Sequence, residues 1–260
     1  MGGVVRSEKD GALGWLIFDH PERRNAISVE MWRQIPELVE ALAADDEVRV
    51  VVMRGAGETA FVAGADISQF EESRSGENAR DYDVDNARAF AALAGLEKPL
   101  LAQIGGFCIG GGVAIALSAD LRYASSDSVF AIPAAKLGLG YQMGGLEALA
   151  NVVGYSHAKE IFFTARRFSA EEARHMGLVN AVVAREDLET HVRETAALIA
   201  SNAPLTVKSV KRIVSEISKD PAQRDLAGVA ASIRACFESE DYREGVRAFL
   251  EKRPPRFQGR

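Results

Sequence analysis

The chain has 260 residues, 47% of them hydrophobic and 26% charged, fractions typical of a folded globular domain that exclude collagen-like, low-complexity and disordered chains. Lysines and arginines number 31 against 37 acids, a net charge of −6, and this balance favours neither nucleic acid nor an anionic membrane as partner. Cys108 and Cys236 are the only cysteines, both in apolar surroundings, and Met1 leads into polar residues rather than a basic-then-apolar leader, so a soluble protein of the reducing cytoplasm is expected.

Trp15 to Phe18 is a short apolar run closed by His20-Pro21, a strand and its turn. Ser28 to Leu42 carries apolar residues at helical spacing behind Ser28 as N-cap. Val48 to Met53 is β-branched and continuous, as in a strand buried on both faces. Leu100 to Ile104 repeats that pattern after a helical stretch around Asp85 to Leu96. Such alternation predicts an α/β fold with right-handed crossovers and a largely parallel sheet. The nearly uncharged run from Phe107 to Ala119 holds three glycines and is too short to span a bilayer. Leu121 to Ala124, Val129 to Ile132 and Val179 to Val183 are further short strands.

Beyond Ser156 the composition turns helical. Ser169-Ala170-Glu171-Glu172 is a capping box, and Gly177 stands where a helix-terminating glycine belongs. Helical patterns follow at Asp187 to Ala200, Pro204 to Ile217, Leu226 to Phe237 and Ser239 to Leu250. A boundary near Ser201 divides a core of residues 1–200 from a helical region of residues 201–260. Amphipathic helices without strands cover a neighbouring surface, in their own chain or a partner's.

Common catalytic fingerprints are absent from the sequence. There is no G-x-S-x-G, so no nucleophile elbow. The glycines between positions 105 and 112 form neither a dinucleotide nor a P-loop motif, which disfavours a nucleotide-binding module. His20, His157, His175 and His191 have no metal-ligand spacing, and no metal is expected. Two segments make unusual backbone demands: Phe61 to Ile67, and Gly105 to Gly112 ahead of an apolar helix ending near Ser118. They can be read as tight turns. They can also be read as two N–H donors, one from each segment, converging on a developing oxyanion.

Phe61-Val62-Ala63-Gly64-Ala65-Asp66 paired with Gly106-Phe107-Cys108-Ile109-Gly110-Gly111-Gly112 resembles the crotonase (enoyl-CoA hydratase/isomerase) superfamily. His20-Pro21-Glu22-Arg23-Arg24-Asn25-Ala26, Ser118-Ala119-Asp120, Ala173 to Val179 and the terminal Glu251-Lys252-Arg253 extend the likeness over the whole chain. The resemblance implies a ββα spiral core and a helical C-terminal region that forms a homotrimer, or a hexamer of two stacked trimers. It implies an acyl-CoA thioester as ligand, coenzyme A arriving as part of the substrate with no tightly bound cofactor. The oxyanion donors by this likeness are the N–H groups of Ala65 and Gly111. Substrate contacts fall to Arg23, Ala26, Ala63, Asp66, Ile67, Pro133, Ala134, Leu137 and Lys252.

The departures bear on the reaction. Where the family's hydratases carry two glutamates this chain has Ala114 and Ala134, the second also replacing the base of the Δ3,Δ2-isomerases. The aspartate of dienoyl-CoA isomerases matches Gln142. A methyl group cannot shuttle a proton. Tyr141, in Leu137-Gly138-Leu139-Gly140-Tyr141, resembles the methylmalonyl-CoA decarboxylase branch, and decarboxylation reaches the enolate without a carbon acid being deprotonated. Tyr141 then orients the carboxylate or protonates the carbanion; otherwise it lines the pocket. Two further readings stand beside this one. One is a hydratase using a displaced acid such as Glu147, Glu71 or Glu72. The other is a catalytically idle CoA-binding protein.

Overall fold

The computed structural model describes residues 2–65 and 77–260. It opens with a hairpin of β1 (Val4–Asp10) and β2 (Leu13–Asp19), turned at Gly11, whose φ of +58° suits glycine. Helix α1 (Val29–Ala44) starts where expected, the Ser28 hydroxyl accepting from the Met31 N–H at 3.3 Å. It buries Met31, Trp32, Ile35, Val39 and Leu42 on one face, the spacing of an amphipathic helix.

Three ββα turns follow. They are β3 (Val50–Gly55), β4 (Ala60–Ala63) and α2 (Glu77–Gly95); β5 (Leu100–Ile104), β6 (Phe107–Ile109) and α3 (Gly111–Leu117); and β7 (Leu121–Ser125), β8 (Val129–Ala131) and α4 (Met143–Thr164). The chain continues through β9 (Phe168–Ser169), α5 (Ala170–His175), β10 (Ala181–Val183) and α6 (Leu188–Ala200), and ends in α7 (Pro204–Ile217), α8 (Leu226–Glu238) and α9 (Glu240–Leu250). The first strand of each turn joins a six-stranded sheet in the order β1-β2-β3-β5-β7-β10, and the second joins a four-stranded sheet, β4-β6-β8-β9. All pairings are parallel except β1 with β2 and β8 with β9. This is the expected ββα spiral.

Apolar runs in β2, β3 and β5 are buried on both sides because each face of the large sheet has a cover. Phe18, Val51, Met53 and Leu100 face a core shared with α1, α2 and the small sheet. Trp15, Ile17, Val52 and Leu101 pack under α6 through Leu188, Val192 and Ala196. Each such side chain contributes about 1.5–3 kcal/mol of burial.

The last three helices are tied to the core by polar contacts. Arg49 donates to the Phe257 carbonyl at 2.6 Å. Lys211 donates to Asp120 at 2.8 Å and to the Lys98 carbonyl at 2.9 Å. Asp120 also accepts from the Leu100 N–H at 2.7 Å, so its carboxylate braces α7 against β5. Among the described residues no helix is long and apolar enough to cross a membrane, and both cysteines are free.

The structure departs from the sequence reading in three places. β1 was read only as polar sequence. β4 and β6 are short strands within the two segments that read as tight turns or as donor loops. α4 begins at Met143, ahead of the helical region expected from Ser156, and breaks at Gly154, whose φ is +76° and ψ 162°.

Candidate active site

Two glycine-governed approaches bring the candidate donors together. A β-carbon on Gly112 would stand 2.1 Å from the Val62 carbonyl oxygen, so only glycine lets the first turn of α3 press onto β4. Gly64, at φ +91°, turns the chain after β4, and Gly110, at φ +54°, turns it after β6. As a result the Ala65 amide nitrogen lies 3.7 Å from the point where a β-carbon on Gly111 would sit. Neither the Ala65 nor the Gly111 N–H donates to a described residue. Gly111 is the first residue of α3, where amides have no helical partner.

The His20–Ala26 loop is locked against this junction. The Ile27 N–H donates to the Gly64 carbonyl at 2.8 Å and the Ala63 N–H to the Arg24 carbonyl at 3.0 Å. Asn25 is buried at φ +57°. Its amide group donates to the Ala56 and Ala60 carbonyls at 3.0 and 2.8 Å, and its oxygen accepts from the His20 N–H at 2.9 Å. The buried His20 ring contacts the Ala26 carbonyl through Nδ1 at 3.0 Å. Asn25 and His20 therefore position the loop, a role the sequence reading quoted as motif without assigning. Gly64 and Gly110 are needed for their positive φ, and Gly112 because any β-carbon there would collide with the Val62 carbonyl.

On the other side, the Gly110 N–H donates to the Ala131 carbonyl at 2.8 Å, and Pro133 Cδ lies 4.0 Å from a β-carbon built on Gly110. A short 3-10 turn, Pro133–Leu137, follows. Ala134 is buried within it, at 5% exposure. Ala114 is half-buried on α3. Tyr141 leads into α4, which packs on α3. Its ring meets Phe162 edge-on, centroids 4.7 Å apart at 74°, and a β-carbon on Gly145 would lie 3.1 Å from it.

The structure thus gathers Arg23, Ala26, Ala63, Ala65, Gly111, Pro133 and Ala134 around one junction. Arg23 is exposed there and contributes its carbonyl to the Ala26 N–H at 3.1 Å. Leu137 closes the 3-10 turn with more than half its surface open. Lys252 stands just beyond α9 at φ +55°, and no hydrogen bond or ion pair joins its ammonium to these segments. Asp66, Ile67, Glu71 and Glu72 lie outside the described residues. Glu147 is exposed on α4, and Gln142 precedes that helix without a side-chain cap. Cys108, fully buried in β6 beside the glycines, has its thiol pushed up by desolvation and stays protonated. Among the described residues no group of three or more potential ligands could hold a metal.

A sequence model of enoyl-CoA hydratase/isomerase matches residues 8–260. The chain belongs to that family, the crotonase superfamily. A short-chain-enoyl-CoA hydratase of Clostridium acetobutylicum is 37% identical over 246 residues, 95% of this chain and 94% of the relative. A carnitinyl-CoA dehydratase of Escherichia coli O157:H7 is 32% identical over 264 residues, covering both chains completely. A solved enoyl-CoA hydratase/carnithine racemase from Magnetospirillum magneticum superposes with a TM-score of 0.92 at 32% identity, covering 99% of this chain and 96% of that one. This crotonase-family chain carries alanine at positions 114 and 134.

Proposed function

We propose that this crotonase-family enzyme holds the thioester oxygen of an acyl-CoA between the Ala65 and Gly111 N–H groups, and that it makes the enolate by decarboxylation. The carrying observation is the pair Ala114 and Ala134. Methyl side chains at both positions cannot take a proton from a carbon acid. In a 2-carboxyacyl-CoA the bond between Cα and the carboxylate carbon breaks instead. Carbon dioxide leaves, and the electron pair moves into the enolate, with its charge on the thioester oxygen. Two preorganised donors lower that charge by several kcal/mol. Protonation at Cα then completes the reaction, and the Tyr141 phenol is the group we assign to orient the carboxylate or deliver that proton.

Carbon dioxide release from a panel of 2-carboxyacyl-CoAs, malonyl-CoA and methylmalonyl-CoA among them, tests this reading. Tyr141→Phe should lower kcat by about 10²-fold while leaving CoA affinity nearly unchanged. No release from any member, beside rapid hydration of crotonyl-CoA, would overturn it. Hydration is the second reading, supported by the relatives named hydratase and dehydratase.

A trimer, or two trimers stacked as a hexamer, is the assembly we infer. Support comes from the apolar surface that α7–α9 leave open: Val214, Phe237, Phe249 and Leu250 are 60, 62, 84 and 76% exposed. Large exposed apolar side chains of this kind mark an association face.

A further inference from the structure

The C-terminal tail folds back over α9 and encloses an open pocket of about 850 Å³, a size that suits a small-molecule ligand. Its lining is polar and rich in arginine: Arg243, Arg247, Arg253 and Arg256. Each carboxylate on the wall is already engaged. Glu244 holds Arg253 in a two-pronged pair at 2.6 and 3.0 Å. The buried Asp241 accepts from the Gln258 and Gly259 N–H groups, both at 2.7 Å. Glu240 pairs with Arg260 at 3.2 Å. The guanidiniums of Arg243, Arg247 and Arg256 have no hydrogen-bond or ion-pair partner among the described residues. Four arginines therefore face three carboxylates across one concavity, with Arg247 near enough to help hold the Glu244 carboxyl down, a local excess of positive charge on a chain whose net charge is −6.

Arg243, Arg247 and Arg256 are not randomly placed. Arg243 and Arg247 are four residues apart on α9, so they share a face one turn apart, and like charges at that spacing weaken the helix. Arg256 is fixed opposite them because its own N–H donates to Glu244 at 3.0 Å. Arg253 pulls the Glu244 carboxyl down to about 2, so this brace stays charged and in place at neutral pH.

We propose that this pocket is a binding site for a small phosphate-bearing anion, held by Arg243, Arg247 and Arg256. Planar guanidinium forks match phosphate oxygens two at a time. Cations spread over about a helical turn suit an anion with several charged oxygens better than a single carboxylate. The site is built from α9 and the tail alone and does not rest on the decarboxylase reading. Its phosphate could come from a free ion or from the phosphorylated end of a nucleotide.

Calorimetry of the full chain with inorganic pyrophosphate at low ionic strength tests it, with 3′,5′-ADP as a second arm. Pyrophosphate should bind with Kd near or below about 1 mM and should weaken as salt screens the charges. Arg243→Ala/Arg247→Ala/Arg256→Ala should lose at least about 10-fold in affinity, and the corresponding triple lysine variant, which keeps the charges but not the forks, should recover only part of it. At least about 10-fold tighter, competitive binding of 3′,5′-ADP would assign a nucleotide end as the source, and equal affinity a free phosphate. No pyrophosphate binding by the unmodified chain would overturn the proposal. So would unchanged affinity in the triple alanine variant at native thermal stability.

Discussion

Gly111→Ala separates the proposed chemistry from the fold. Gly111 is not among the residues with positive φ, so alanine fits its backbone. The added methyl would meet the Ala65 nitrogen and the Gly64 carbonyl carbon at 3.7 Å, and Gly64 Cα at 3.9 Å, ordinary contact distances. Stability should hold or rise by up to about 0.5–1 kcal/mol, the usual gain of alanine over glycine in a helix. On the proposed reading, the same methyl, 3.7 Å from the Ala65 nitrogen, intrudes on the place of the oxyanion. An oxyanion needs that space, at about 2.7–3.1 Å from each donor. Losing one such donor costs about 10²–10³ in kcat, or about 2.7–4 kcal/mol.

Gly112→Ala is the matched control. Its β-carbon would stand 2.1 Å from the Val62 oxygen and 2.9 Å from the Val62 carbon, both backbone atoms that cannot swing aside. That variant should lose about 1–3 kcal/mol of stability through overpacking. The assays are thermal unfolding, acetyl-CoA calorimetry, and turnover of whichever thioester in the panel reacts fastest. Gly111→Ala should keep its melting point and acetyl-CoA affinity while kcat falls. If it keeps more than about a third of kcat, the loss lies far below what a missing donor costs, and the space beside the Ala65 N–H is not where the oxyanion sits. If both variants unfold alike, the glycines serve packing alone.

With Ala114 and Ala134 in place of carboxylates, crotonyl-CoA hydration should be slow by about 10²-fold or more per missing group. Ala114→Glu/Ala134→Glu should raise the rate, and rapid hydration by the unmodified chain would mean a displaced acid is at work. Glu244, whose carboxyl is held down at about 2 by Arg253, stabilises the fold above the ordinary carboxylate range of about 4.3. Because its folded value is depressed, that contribution should fade as pH falls from about 4.5 towards 2, and melting curves of Glu244→Gln should lack this part of the acid loss. Light scattering at micromolar protein should report three or six chains, and Phe249→Asp should shift the protein to smaller species; a monomer from the unmodified chain would refute the association face.

Periodicity and caps made the larger elements legible before any coordinates. The Ser28 cap, the Ser169 capping box and the β-branched run of β3 each state a local preference that packing then keeps. The missed elements share a different property. β1 lies at the edge of the large sheet, and five of its seven residues are polar or charged, because that edge meets solvent. β4 and β6 have four and three residues, too short for a period of two to declare itself, and glycines flank them. α4 opens with Met143-Gly144-Gly145, and two glycines depress helix propensity where the helix begins.

The site was legible in part for a related reason. Its proposed donors are main-chain atoms, which every residue possesses, so the sequence marks them only by the side chains it withholds. Gly64 and Gly110 are needed for their φ, and Gly112 for a carbonyl that would collide with any β-carbon. None of these can be inferred from hydrophobic pattern. A backbone junction of this kind can be held unchanged while nearby side chains change, since Asn25 and His20 fix the loop through bonds to main-chain groups. The Ala114 and Ala134 methyl groups take no part in the hydrogen bonds of that frame. On the proposed reading, binding and charge stabilisation belong to the frame, and the choice of reaction to positions 114, 134 and 141. A carboxylate there would permit proton transfer; with two methyls in its place, the proposal turns to bond cleavage that supplies its own electron pair, and carbon dioxide release from a 2-carboxyacyl-CoA is the observation that decides it.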